Sequence, residues 1–137
     1  MNCRLLGATA LAITAFLNIG FGQGPTCDRA CLEGFVDQYL DAMIAHDPGM
    51  IPTTLDVRMT ENGQQLDVGD GLWRSIVGKG TYRLFVTDVD AGQVTFIGTI
   101  REEGNGEMER ITSLALRLKV DKGNGLGQLN TSSTAAP

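Results

Sequence analysis

The fold of this chain is indicated most directly by one stretch, Arg58-Met59-Thr60-Glu61-Asn62-Gly63, which is followed by Gly69-Asp70-Gly71-Leu72-Trp73. The two pieces bring together an arginine, a carboxylate, an amide, turn-forming glycines and the only tryptophan of the chain. Because Asn-Gly is a strong signal for a tight hairpin turn, short extended segments are expected on both sides of it. Residues 72–77 are expected to form a helical turn that carries Trp73 inward.

An amphipathic helix is predicted before this stretch, over residues 28–46. Apolar side chains recur there at spacings of three and four, which is the period of a helix face; they are Leu32, Phe35, Val36, Tyr39, Leu40, Met43 and Ile44. Thr26 or Asp28 is expected to cap the beginning of this helix. Asp47-Pro48-Gly49 is expected to end it, because proline disfavours helix at the preceding residue. Phe35 and Leu40 lie centrally on the stripe, which is expected to face the sheet.

Three alternating segments follow the stretch, at residues 82–89, 94–101 and 114–120, and short turns separate them. Strands joined by such short turns pair antiparallel, so a curved sheet packed on the helix is predicted, which is an α+β fold. In the first strand Tyr82, Leu84, Val86 and Asp88 share one face, and this face is expected to point inward. Residues 121–137 are poor in apolar side chains and are predicted to form a disordered tail.

The first residues have the pattern of an export signal, assigned to residues 1–22. Arg4 precedes an apolar run over residues 5–21, and small residues follow. A secreted protein, extracellular or periplasmic, is therefore expected, with an uncleaved signal anchor as the alternative. Cys27 and Cys31 remain after cleavage, and in an oxidising compartment they are expected to form disulfides, either with each other or with another chain.

The composition argues against several classes of partner. The chain has 137 residues and a net charge of −5, and its 11 Lys and Arg residues are scattered. No basic stripe is formed, so neither nucleic acid nor stable membrane contact after signal cleavage is expected. Two thiols and the single histidine, His46, do not make a closed zinc site, and no metal or cofactor is expected.

Several motifs resemble those of a known family. They are a helix ending in Asp-Pro, Arg-x-Thr-Glu-Asn-Gly, Gly-x-Gly-Leu-Trp, a strand led by Tyr-Arg and the run Leu116-Arg117-Leu118-Lys119-Val120. Over residues 27–120 the chain resembles the SnoaL-like branch of the nuclear-transport-factor-2-like superfamily, and within it a group of secreted, mostly fungal or bacterial proteins of unassigned function. The resemblance implies one domain over residues 26–120 with a conical fold around an apolar pocket. It leaves open whether the sheet has its last strand, because nothing after residue 120 matches the strand usual in the family.

Two functions follow from these expectations. The first is an exported domain that binds a small apolar molecule, with a homodimer across its sheet as an option. The alternative is a cofactor-free lyase, isomerase or cyclase acting on a small apolar or polyketide-like substrate, with Asp88 or Glu61 as general base.

Six residues are the candidates for a site. Asp88 and Glu61 are the candidate catalytic groups, and the candidate ligand-binding residues are Arg58, Trp73, Tyr82 and Asn62. All except Asn62 are expected to share one cavity. Structural roles are the alternatives: a turn cap for Asp88, the hairpin turn for Asn62 and an ion pair for Arg58.

Overall fold

The computed structural model describes residues 27–104, 106, 108–121 and 125–135, and the predicted export signal lies outside them. Within these described residues there are one helix and six strands, which are α1 (Arg29–Ile44), β1 (Thr53–Glu61), β2 (Gln64–Leu66), β3 (Ile76–Asp88), β4 (Gln93–Glu102), β5 (Arg110–Asp121) and β6 (Gly125–Ala135). Two short 3-10 turns occupy Pro48–Met50 and Gly71–Arg74. In the described part, no helix is both long and apolar enough to cross a membrane.

Helix α1 begins at the predicted cap and buries the predicted face. The Oδ1 atom of Asp28 accepts a hydrogen bond from the backbone N–H of Cys31 at 2.9 Å, which satisfies one free donor of the first turn. The fully buried residues of the helix are Leu32, Val36, Tyr39, Leu40, Ala42 and Met43. Phe35, by contrast, is only half-buried, because it lies at the margin of the contact with the sheet. Phe35 thus packs against the core without being fully buried.

A disulfide joins Cys27 to Cys31 at the beginning of α1, with the two Cα atoms 5.2 Å apart. Of the two pairings expected from the sequence, the one within the chain is therefore present. The bond ties the residue before the cap to the first turn of the helix.

Helix α1 ends in a left-handed residue rather than at the proline. His46 has a φ of 53°, and its N–H bonds to the carbonyl of Met43, while the N–H of Asp47 bonds to the carbonyl of Ala42. This is the Schellman pattern, in which glycine usually occupies the position that His46 has here. Asp47 in turn caps the first 3-10 turn by accepting the N–H of Gly49 at 2.9 Å.

The six strands form one open sheet in the order β2-β1-β6-β5-β4-β3. All neighbouring pairs are antiparallel except β1 and β6, which run parallel. The predicted meander corresponds to β3, β4 and β5, and register shifts within the β3–β4 pair bend its edge. A helix packed on a curved sheet confirms the predicted α+β class.

Strand β6 corrects the prediction of a disordered tail over residues 121–137. Its backbone pairs with β5 on one side and with β1 on the other. Leu126 and Leu129 are fully buried, while its hydroxyl and amide side chains lie largely on the opposite face. Two leucines suffice because the two neighbouring strands supply its hydrogen bonds, and a count of apolar residues does not detect this.

The orientation of β3 is opposite to the predicted one. Tyr82, Leu84 and Val86 are exposed on the face of the sheet away from α1, here called the outer face. The inward row contains Phe85, whose ring lies 5.5 Å from that of Phe96, and Arg83, which pairs with Asp37 of α1. The inward row of β3 contacts the helix through this ion pair, where a purely apolar contact was expected. The row with more apolar residues therefore faces outward, and its predicted inward orientation is wrong.

Candidate functional site

The structure does not bring the five predicted cavity residues together. Tyr82 is 55 % exposed on the outer face, whereas Trp73 is 1 % exposed in the core. Asp88 and Arg58 are exposed, and Glu61 is half-buried. The prediction of one shared cavity is wrong, because it depended on an inward orientation of β3.

Asp88 lies at the end of β3 as a turn cap. Its Oδ1 atom accepts the backbone N–H of Ala91 at 3.0 Å. This is the structural alternative weighed for it from the sequence, since aspartate commonly satisfies backbone donors of the turn that follows it. The side chain has no apolar enclosure of the kind that favours a general base.

Glu61 connects the hairpin to the second 3-10 turn. Its Oε2 atom accepts the backbone N–H of Leu72 at 2.9 Å. A Cβ added to Gly71, where φ is +64°, would meet Oε2 of Glu61 at 2.7 Å. Glycine at this position therefore lets the carboxylate approach the backbone, and the contact gives Glu61 a structural role.

Trp73 is a core residue held by two polar contacts. Its Nε1–H donates to the hydroxyl of Tyr39 at 3.0 Å, and the two rings meet edge to face with centroids 5.2 Å apart. Burial raises the pKa of Tyr39 to about 12, although the hydrogen bond from Trp73 acts in the opposite direction. The Nδ1 atom of His46 lies 2.5 Å from the carbonyl oxygen of Trp73. These contacts attach the end of α1 to the second 3-10 turn.

Asn62 occupies the predicted hairpin turn and has a second contact as well. Asn62 and Gly63 have φ values of 49° and 82°, as the primed turns of tight hairpins require. The Oδ1 atom of Asn62 also accepts the backbone N–H of Ser133 at 3.1 Å. The turn of the β1–β2 hairpin is thereby fastened to β6.

A recess on the outer face lies beside this hairpin turn. It has a volume of about 340 Å³ and is here called the outer-face groove. Its lining comes from the hairpin and from β4, β5 and β6, and consists of Thr60, Asn62, Gly63, Thr95, Ala115, Leu116, Arg117, Asn130, Thr131 and Ser132. Hydroxyls, amides and one guanidinium thus converge on one recess, and Asn62 is the predicted site residue that it contains.

Arg117 is the cation of this groove. Its Nε–H donates to Oε1 of Gln93 at 2.9 Å, which fixes the plane of the guanidinium. Within the described ranges it forms no ion pair with a carboxylate. In the sequence, Arg117 stands out only as part of the run Leu116-Arg117-Leu118-Lys119-Val120. The sequence signal for it is an arginine on the face of β5 that alternates with the buried leucines.

Glu102 is buried, although a residue beside a turn is usually solvated. It accepts hydrogen bonds from Ser75 Oγ at 2.7 Å and from the hydroxyl of Thr112, and it forms an ion pair with Arg110 at 3.3 Å. Burial by itself would raise the pKa of Glu102, but the bonds from Ser75, Thr112 and Arg110 outweigh it and lower the pKa below its ordinary value. The cluster joins the beginning of β3, the end of β4 and the beginning of β5.

Comparison with known proteins adds no name to this geometry. No protein-family model matches the chain, and no curated protein matches it either. In the described part, no group of three or more His, Cys, Asp and Glu side chains is placed to hold a metal ion. The outer-face groove is the candidate site because polar side chains from four strands and the hairpin turn converge there.

Proposed function

We propose that this chain is an exported domain that binds a small molecule, and that the ligand binds in the outer-face groove. The observation that carries the proposal is the convergence of Arg117, Asn62 and Asn130 on one recess of about 340 Å³. Small-molecule sites in proteins have volumes from roughly 300 Å³ upward and use a few polar groups to orient the ligand. The ligand expected from the sequence was apolar and internal, whereas this groove favours a polar one.

The dense packing of the interior supports a ligand site in the outer-face groove rather than inside the protein. Tyr39, Trp73 and Phe96 are each at most 1 % exposed and fill the space between α1 and the sheet. The helix on a curved sheet agrees with the proposed membership of the nuclear-transport-factor-2-like superfamily, whose members include non-catalytic binders. The alternative of a lyase, isomerase or cyclase gains no support, because Asp88 and Glu61 each accept a backbone N–H.

Export is the second part of the proposal. The disulfide between Cys27 and Cys31 supports an oxidising compartment, where such bonds persist. In a secreting host, mass spectrometry is expected to find a mature chain that begins between Gly20 and Pro25 and has no free thiol. Secreted protein that retains Met1 would contradict cleavage.

A second copy of the chain is the proposed protein partner, and its contact would lie beside the groove. Four apolar side chains of the outer face, Tyr82, Leu84, Val86 and Ile97, are each more than two-fifths exposed. They carry no charge, so two copies can meet there without burying an unpaired ion. Sedimentation equilibrium is expected to show a dimer that Leu84→Glu dissociates, and a monomer at all concentrations would contradict the proposal.

Filling the groove tests the binding site. Ala115 is exposed on β5 and lines the groove, so Ala115→Trp should occupy it. Ser113→Trp is the matched control, because Ser113 is exposed on the same face of β5 but lies outside the lining. The measurement is the thermal shift caused by a library of small carboxylates, phosphates, neutral polyols and apolar fragments. Shifts should vanish with Ala115→Trp alone, and their survival in that variant would place binding elsewhere.

A further inference from the structure

We propose that the outer-face groove recognises a small oxyanion, a carboxylate or phosphate group, through the side-chain N–H donors of Arg117, Asn62 and Asn130. The inference rests on the proposed function and specifies its ligand class. It follows from which hydrogen-bonding atoms of the groove the protein uses itself and which it leaves to a ligand.

Asn62 uses its amide oxygen within the protein. A backbone N–H can only donate, so the atom of Asn62 that faces the N–H of Ser133 at 3.1 Å must be the amide oxygen. That bond uses an acceptor of Asn62 within the protein. The NH₂ group, which is a pair of donors, forms no hydrogen bond within the described residues and is left for a ligand of the groove.

The same holds for Asn130 on β6. Its Oδ1 atom accepts the hydroxyl hydrogen of Thr60 at 2.8 Å, and both residues line the groove. The acceptor of Asn130 is thus engaged and its NH₂ group remains. The Thr60 oxygen has given its hydrogen to this bond.

Arg117 supplies the charge and has only donors. Its Nε–H is engaged by Gln93 at 2.9 Å, which leaves the two terminal nitrogens. A guanidinium held in one plane presents parallel N–H groups that match the two oxygens of a carboxylate or phosphate. The three side chains together therefore offer mainly donors and one positive charge, and a ligand rich in acceptors satisfies them.

The surrounding charges favour the same ligand class. The chain as a whole has a net charge of −5, yet two further cations lie on the outer face one row from Arg117. Lys119 is two residues along β5, and Arg58 is two residues before Thr60 on β1. Lys119 pairs with Asp121 at 3.7 Å, whereas Arg58 forms no ion pair among the described residues. Asp88 lies on the same face beside Gln93, so the cations without a carboxylate partner in the described part are Arg117 in the groove and Arg58 beside it, and these two attract an anion.

Nuclear magnetic resonance on the ¹⁵N-labelled chain tests this assignment. Acetate, inorganic phosphate and glucose are titrated at constant ionic strength, and the side-chain N–H signals of Asn62, Asn130 and Arg117 are followed. Acetate or phosphate should shift all three signals saturably, and glucose should not. Arg117→Gln should weaken anion binding about ten- to hundredfold, since hydrogen bonds to charged groups contribute about 1.5–3 kcal/mol.

Two further variants separate the effect of the planar guanidinium, with its parallel N–H groups, from the effect of its charge. Arg117→Lys keeps the charge without the planar fork and should bind with intermediate affinity. Arg29→Gln removes an equal charge from α1, away from the sheet, and should bind anions as the unmodified chain does. If Arg29→Gln weakens binding as much as Arg117→Gln, the effect is general screening and the inference is overturned.

The remaining outcomes separate the inference from the proposed function. If glucose binds in the groove and Arg117→Gln changes nothing, the groove is a binding site but not an oxyanion site, and only the inference falls. If no probe shifts a signal of the groove, and no library member binds there, both proposals fall. Binding of phosphate without acetate, or the reverse, supports the inference and tells which oxyanion the groove takes.

Discussion

Tyr39 and Trp73 depend on each other at the scale of single residues. Both are at most 1 % exposed, and the indole N–H has the phenol oxygen as its hydrogen-bond partner. A buried donor without a partner costs more free energy than a satisfied one contributes. The pair also attaches α1 to the second 3-10 turn, so its hydrogen bond connects two elements of the core.

Replacing Tyr39 with phenylalanine is expected to lower the free energy of unfolding by about 1–3 kcal/mol, because the Trp73 N–H is left buried and unpaired. Urea denaturation followed by tryptophan fluorescence measures it. Tyr82→Phe is the control: Tyr82 is 55 % exposed, so its change should stay within about 0.5 kcal/mol. Equal decreases in the free energy of unfolding in the two variants would show that the buried hydrogen bond contributes no more to stability than an exposed hydroxyl does.

The protonation of Glu102 makes the free energy of unfolding depend on pH in the acidic range. Its pKa in the folded chain is lowered from 4.5, so the folded state binds this proton less readily than the unfolded state does. The carboxylate therefore contributes stability above the unfolded pKa, and the contribution is lost as pH falls through the lower folded pKa.

Glu102→Gln is expected to reduce the steepness of the stability loss on acidification below pH 4.5, because the neutral amide cannot take up the proton. The free energy of unfolding measured from neutral pH downward gives this slope. Glu103→Gln, an exposed neighbour, keeps Glu102 and should retain the original acid response. An unchanged slope in Glu102→Gln would contradict the assignment.

At the scale of elements, the end of α1 and the turn of the β1–β2 hairpin both contain residues with left-handed backbone, but different interactions stabilise that conformation in each. The hairpin has Asn62 and Gly63 in its turn, and this pair of residue types predicts a tight turn from the sequence. The end of α1 uses His46, which carries no such signal and is held by its contact with the Trp73 carbonyl. The sequence therefore predicted the hairpin turn correctly, while the exact end of the helix depended on a tertiary contact.

The same substitution is expected to act with opposite signs at two glycines. Gly34 lies inside α1 and Gly63 in the hairpin turn, and an added Cβ has no neighbour within 4 Å at either position. Gly34→Ala should stabilise the protein by about 0.5–1 kcal/mol, because alanine loses less backbone entropy in a helix. Gly63→Ala should destabilise it by about 1–2 kcal/mol, because φ there is +82°. Thermal unfolding measures both, and changes of equal sign would contradict the assigned backbone conformations.

At the scale of the whole molecule, the sequence predicts the features that depend only on residues close together in the chain. The helix cap at Asp28, the turn at Asn62 and the three meander strands follow from residue type and period. The orientation of β3 and the existence of β6 do not, because each depends on which distant segment packs against it. The site was missed for the same reason: Arg117, Asn62 and Asn130 meet only after β1, β6 and β5 have paired.

A chain that ends at Asp121 is expected not to fold. It lacks β6, which lies between β1 and β5, so both neighbours lose their partner and Met59 and Leu118 lose the cover of Leu129. Far-ultraviolet circular dichroism and the dispersion of amide resonances would show this, with a chain ending at Ala135 as the control. Native dispersion in the shorter chain would mean that β6 is dispensable.

The parallel pairing of β1 with β6 has a consequence for the order of events during biosynthesis. Thr60 and Asn130 touch although they are 70 positions apart, and contacts between such distant segments form slowly because a long loop must close first. A ribosome has to release β6 before β1 and β5 can be joined, so the sheet of the nascent chain stays incomplete until residues 125–135 have emerged.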